Sequence, residues 1–356
     1  MFRFTNPHFV PVLKVKPAEK RSLPQLDPII LPKITPLFEI VERKDKPGKP
    51  GSKPAPAKHL ATAFKGFAEA VENLDRYFLD CREIDQDGPP VISDAFAEAA
   101  TIGVPFTPVT SISRSNDVAP ALTHAKDGIA IRLSKEEFEQ GLIPGGLPAF
   151  LKQHSLSPGD VDLIVDLGAI NQMISTGVEN LAAAFLSDVP NPESWRTYTL
   201  TACAFPSSMG VVEKNSQASV DRLELLYWRD HLYSQRKSLA RLPTFSDCGV
   251  QHRDGVEGYD PRKMPSSAAI RFTEGDSWLL AKGESMKLKG GAQFQDIAAG
   301  LISATAVDPD HCAGCAGIHQ AAADPTGLRS LQKWRELGTT HHITQTVELL
   351  AALPWP

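Results

Sequence analysis

Val161-Asp162-Leu163-Ile164-Val165-Asp166-Leu167 is the run whose reading decides the fold. It is nearly continuously apolar, as a strand covered on both faces has to be. Upstream, Ser134-Lys135-Glu136-Glu137 opens a helix, with Ser134 as N-cap and acids in the first turn. Downstream, Ile174 to Leu186 reads as another helix. A buried strand between two helices is the βα unit of a parallel sheet. Working outward, similar runs occur at Phe9 to Val15, Ile34 to Val41, Tyr77 to Cys81, Pro105 to Ser111, Gly128 to Leu133, Thr197 to Ala204 and, more weakly, Pro243 to Gly249. His59 to Leu74 carries Leu60, Phe64, Phe67, Ala70, Val71 and Leu74 on one helical face, and Ser219 to Tyr227 reads as a further helix. Eight units by about residue 255 predict a TIM-like (β/α)8 barrel, with an open doubly wound sheet as the alternative.

The last hundred residues change character. Ala268 to Phe272 and Trp278 to Ala281 read as a hairpin joined by Glu274-Gly275-Asp276. Helices are expected at Ala292 to Ala306, Gly327 to Leu337 and His341 to Leu353, with Gly338 ending the second and Thr340 capping the third. Residues 1–255 are therefore expected to form the barrel and 256–356 an extension packed on it within the same domain. Arg43 to His59, rich in Lys, Pro and Gly, is expected to be a mobile basic loop over the barrel face.

Composition excludes several classes. A chain of 356 residues, 42% hydrophobic and 22% charged, can bury a large core without staples. A net charge of −5 gives no global pull toward nucleic acid or anionic membrane, so such binding would need a local patch, for nucleic acid the 43–59 loop. Five cysteines suit a reducing compartment rather than a disulfide framework. No signal peptide is visible and no stretch approaches the roughly 18–20 apolar residues of a membrane span. A cytoplasmic protein with no membrane partner is the expectation.

Barrel sites form at the carboxyl ends of the strands. Those ends carry Lys14 and Lys16, Glu39, Asp80, Arg132, Asp166 and Asp247. Charges of both signs converging in one cup compensate one another and suit a phosphate- or carboxylate-bearing ligand. Lys14, Glu39, Asp80, Asp166, Asp247 and His252 are the catalytic candidates. Lys16, Arg132, His341 and His342 are the substrate-binding ones. Asp80, Asp166 and Asp247 are the metal candidates, for a hard cation such as Mg²⁺ or Mn²⁺. The alternative for each is an ion pair that closes the barrel top. His311, Cys312, Cys315 and His319 are zinc-ligand types, but all four fall within nine residues. Structural zinc sites usually draw on two separated pairs, so reduced cysteines and ordinary histidines are expected here. P-loop, G-x-S-x-G, H-E-x-x-H, EF-hand and G-x-G-x-x-G motifs are absent.

Phe9-Val10-Pro11-Val12-Leu13-Lys14-Val15-Lys16 followed by Ile34-Thr35-Pro36-Leu37-Phe38-Glu39-Ile40 resembles the opening of the phage beta protein family, first named from a T-even phage. Arg241-Leu242-Pro243-Thr244-Phe245-Ser246-Asp247-Cys248-Gly249 with Val250-Gln251-His252 is similar to a second block, in which a tyrosine usually stands where Cys248 stands here. Ile270-Arg271-Phe272-Thr273 with Trp278, and Trp334-Arg335 with Gly338 and His341-His342-Ile343, resemble the carboxy-terminal blocks. The resemblance spans nearly the whole chain. It implies a phage or phage-defence setting and supplies no catalytic residues, while adding weight to the candidates inside its blocks.

Two functions stay open at the level of sequence. One is a divalent-metal-dependent enzyme, such as a hydrolase, acting on a phosphate-bearing substrate, nucleotide or nucleic acid. The other is a non-enzymatic binder of a small anionic ligand, or of a protein partner encoded nearby, within a complex. A scaffold role for the Pro-Lys loop is a third.

Overall fold

The computed structural model describes residues 3–46, 49–171, 173–255, 266–324 and 326–355. Eight parallel strands close a barrel in the order β1-β2-β3-β4-β5-β6-β7-β9. They are β1 (Phe9–Lys14), β2 (Leu37–Glu39), β3 (Tyr77–Asp80), β4 (Phe106–Thr110), β5 (Ile129–Leu133), β6 (Val161–Ala169), β7 (Thr197–Cys203) and β9 (Thr244–Asp247). Closure is made by β9, which pairs with β7 on one side and with β1 on the other, setting Val10 beside Ser246. Every barrel strand is buried almost throughout, as the apolar runs require.

Helices α1 (Pro17–Ser22), α2 (Pro56–Phe64), α3 (Ala68–Val71), α4 (Pro89–Thr101), α5 (Ser115–Thr123), α6 (Lys135–Glu139), α7 (Ile143–Gln153), α8 (Ser175–Ser187) and α9 (Leu223–Tyr227) fall between or after the strands. The N-cap expected at Ser134 is a full capping box, closed by Glu137. The single helix expected over 59–74 is instead α2 and α3, because Gly66 between them takes a left-handed φ of +68°. The expected second strand is shorter than its apolar run, with Ile34 making only an isolated bridge to Phe9.

The extension is built on a three-stranded antiparallel sheet, ordered β10 (Ser267–Glu274), β11 (Ser277–Ser285), β8 (Ser216–Asp221). The hairpin read from sequence is its β10–β11 pair. Part of the helix expected over 219–227 is strand: Ser216–Asp221 pairs with β11, and only Leu223–Tyr227 is helical. The sheet thus recruits a strand from before residue 256. Helices α10 (Met286–Lys289), α11 (Phe294–Ala304), α12 (Ala313–Ala323) and α13 (Leu331–Ala352) complete it.

The two helices expected over 327–353 are one helix, α13. Gly338 sits inside it, because a Cβ there would lie 2.9 Å from the Arg271 carbonyl oxygen of β10. The glycine permits close helix–sheet packing rather than ending a helix. Residues 256–265, within the expected extension, lie outside the described residues, as do 47 and 48 of the basic loop. The flanks of that loop are tied down: Arg43 Nε donates to Asp87 Oδ2 at 2.6 Å, and His59 Nε2 lies 2.7 Å from the Val41 carbonyl oxygen.

Candidate functional site

The strand ends deliver Lys14, Glu39, Asp80, Arg132 and Asp166 into one buried network at the mouth of the barrel. Arg132 is its hub. Its Nη1 donates to Glu39 Oε1 at 2.6 Å and to Asp80 Oδ2 at 2.8 Å, and its Nε donates to Asp166 Oδ2 at 2.7 Å. Lys14 Nζ bridges Glu39 and Glu83. Arg114 Nη1 donates to Asp80 Oδ1 at 2.6 Å and lies 3.2 Å from Asp117 Oδ2. Arg253 donates to Asp166, and Arg82 lies 3.8 Å from it.

Burial alone would push the Glu39 and Asp80 carboxyls up. Lys14 and Arg132 around the first, and Arg114 and Arg132 around the second, outweigh it and hold both below the usual carboxylate range. Burial likewise opposes charge on Lys14, but Glu39 and Glu83 keep it above the ordinary lysine value. At the other end of the barrel, Arg196 chelates Asp162 through Nε at 2.9 Å and Nη2 at 2.6 Å. Both ends are therefore closed by arginine–carboxylate pairs.

Asp247 does not join the cup, so Asp80, Asp166 and Asp247 are not brought together. Alternation along β9 puts Asp247 on the face of Phe245, whose ring stacks on Phe9 at 5.7 Å. That face meets α13. There, His342 Nε2 lies 3.0 Å from both Asp247 oxygens, and Arg222 Nη2 donates to Oδ2 at 3.1 Å. His342 Nδ1 is 2.9 Å from Thr273 Oγ1. Burial pushes the Asp247 carboxyl up, yet His342 and Arg222 pull it down to about 2. Burial takes His342 below the usual histidine range, with Asp247 opposing the shift. This dyad is completely covered, which suits a structural bridge from β9 to α13.

Lys16 and His252 line a different feature. A cavity of about 550 Å³ lies between the barrel mouth and the extension. Its walls are the loops after β7 (Phe205 to Gly210) and after β9 (Gln251, His252 and Gly255), together with β10, β11 and the start of α13. Lys16, Arg271, Lys282 and Arg335 bring four cations to it, and no described lining residue is Asp or Glu. Lys282 is spent on the Met209 and Val212 carbonyls, each at 2.8 Å. Arg271 donates to the Val250 carbonyl at 2.6 Å and lies over the Phe205 ring. Burial, with Arg335 next, brings Arg271 down to about 9. Burial also lowers Lys16; Glu19 behind it opposes the shift, while Arg335 and Lys14 add to it. His252 Nε2 is 3.2 Å from Asn171 Oδ1.

Arg271, Arg335, Arg253 and Arg114 escaped the residue-by-residue reading. The first two stand in the carboxy-terminal sequence blocks and the other two in loops after barrel strands, which is the signal that could have found them. The zinc-type residues also regroup. His319 Nε2 is turned to the Val307 carbonyl at 2.6 Å, whereas His341 joins His311, Cys312 and Cys315 away from the cavity lining.

No helix among the described residues is long and apolar enough to cross a membrane. A search of curated proteins finds no match to the chain. Among solved structures, a triosephosphate isomerase from Bartonella henselae is 8% identical, with a TM-score of 0.28. The alignment covers 68% of this chain and 92% of that one. A likeness of that size adds nothing to the barrel, which rests on the strand order itself. The family described as Beta protein matches residues 9–348, nearly the whole length, and takes in every block that resembled it. The chain belongs to the beta protein family.

Proposed function

We propose that the protein binds a small phosphate- or carboxylate-bearing molecule in the 550 Å³ cavity, and that the barrel-mouth carboxylates hold the fold together instead of holding a divalent metal. The observation that carries this reading is the charge of the lining: four cations, and no acid among the described lining residues. Clustered cations repel one another, so an incoming anion relieves a cost already built into the fold. The loops after the seventh and eighth strands are where many TIM barrels place a phosphate. Lys16 and Arg335 have no ion-pair partner within 4.0 Å among the described residues, whereas Asp80 and Asp166 are already engaged by arginines. Engaged carboxylates are poor metal ligands, which favours binding over metal-dependent hydrolysis.

Titration calorimetry with inorganic phosphate, ADP and citrate tests this on the wild type and on Lys16→Gln. Saturable binding of at least one probe, weakened in the variant and unaffected by Mg²⁺, is the expected result. No heat with any of the three, or binding that requires Mg²⁺, contradicts the proposal.

A further inference from the structure

We propose that His311, Cys312, Cys315 and His341 form a structural zinc site that clasps α12 to α13. The four side chains come from the turn before α12, its first turn and the middle of α13. They gather because α12 packs against α13, a contact that sequence spacing does not reveal. The Cys312 and Cys315 sulfurs are 3.7 Å apart. His341 Nδ1 lies 3.4 Å from each of them. His311 Nδ1 lies 3.6 Å from Cys315 Sγ. The remaining pairs, both involving His311, fall within 4.8 Å. Zinc bonds of about 2.3 Å to sulfur and about 2.05 Å to nitrogen in a tetrahedron imply edges of about 3.8 Å for S···S and about 3.6 Å for S···N. Only His311, the more exposed histidine, has to turn to complete the figure.

The outer partners make the same point independently. His341 Nε2 is 2.8 Å from the Thr273 carbonyl oxygen, which can only accept. The proton therefore sits on Nε2, and the Nδ1 lone pair is left facing the two sulfurs. His311 Nε2 lies 2.7 Å from Glu348 Oε2, which fixes its ring in the same sense. A carbonyl or carboxylate behind each ligating imidazole is the usual support of a metal-bound histidine. The His341 ring is further held flat on Phe272, with centroids 4.1 Å apart. Four protein ligands leave no open position, so the site is structural rather than catalytic. It also has a clear mechanical reach: His341 adjoins His342, the residue that grips Asp247 of β9. Metal at the clasp would thus fix the extension against the barrel.

The test is metal analysis of the full-length protein, purified without a metal-affinity step, and of its cobalt-substituted form. One equivalent of zinc per chain is expected. Cobalt should give the visible bands of a tetrahedral site with two thiolates. Cys312→Ser should lose the metal. His311→Ala, which leaves three ligands, should release it more readily to a chelator, and His319→Ala should keep it. If Cys312→Ser does not fold, the wild-type cobalt spectrum and the His311 and His319 variants decide the matter. Metal-free protein that takes up no cobalt overturns the inference, whether its cysteines are free thiols or a disulfide. So does retention in Cys312→Ser together with loss in His319→Ala.

Discussion

Arg132 Nε donates to Asp166 Oδ2 at 2.7 Å, joining the carboxyl ends of two adjacent strands, β5 and β6, at the centre of the barrel mouth. The same guanidinium also holds Glu39 and Asp80. Removing it leaves three buried carboxylates short of their shared partner. Arg132→Met should therefore destabilise the fold by about 3–5 kcal/mol, the range for breaking a buried ion pair from one side. Urea unfolding monitored by far-UV circular dichroism measures this. A loss below about 1 kcal/mol would mean the network is not structural.

Glu224 predicts a pH effect of definite sign. Burial first, and Asp247 second, push its carboxyl from 4.5 up to about 8. Between those values the native state binds the proton more tightly than the unfolded chain does. Stability contributed by this group is thus fully present below the unfolded value, falls as pH rises from about 4.5 to 8, and levels above. The slope cannot exceed about 1.4 kcal/mol per pH unit. Glu224→Gln should flatten that part of the stability profile. An unchanged profile in the glutamine variant would show that Glu224 is not held neutral.

Gly338→Ala tests the packing of α13. An alanine inside an exposed helix normally gains about 1 kcal/mol over glycine. Here the added Cβ would meet the Arg271 carbonyl at 2.9 Å. A net loss of about 1–3 kcal/mol is expected, as for overpacking elsewhere. Calorimetric melting that shows a gain would indicate that helix and sheet can separate without cost.

Arg335→Gln should weaken anion binding without harming the fold. A hydrogen bond to a charged group contributes about 1.5–3 kcal/mol, so the loss in affinity should be about 10-fold or more. The residual affinity should fall as salt is raised, because screening weakens what remains. Phosphate titrations at two ionic strengths measure both effects.

The barrel was legible because its strands are buried on both faces, so each appears in the sequence as an apolar run such as Val161 to Leu167. The cup was legible for the same reason: a charge closing an apolar run, as at Asp80 and Arg132, has to sit at a strand end. Asp247 misled because strand alternation, rather than position at a strand end, decides which way it faces, and its neighbour Phe245 packs outward. Strand β8 was hidden because its hydrogen-bonding partner lies more than fifty residues away, in β11. Gly338 was misread for a related reason: its role depends on what packs against α13, and no local pattern records that.

Thermal unfolding of the wild type, Arg335→Gln and Asp166→Asn across a concentration series of ADP, with and without Mg²⁺, tests the central claim most directly. A melting temperature that climbs with ADP in the wild type as mass action requires, still climbs in Asp166→Asn from a lower starting point, and in Arg335→Gln climbs only at about 10-fold higher ADP or beyond is the predicted result. A shift that needs Mg²⁺, disappears in Asp166→Asn and survives in Arg335→Gln would contradict it, and would move the ligand from the cavity to the barrel mouth.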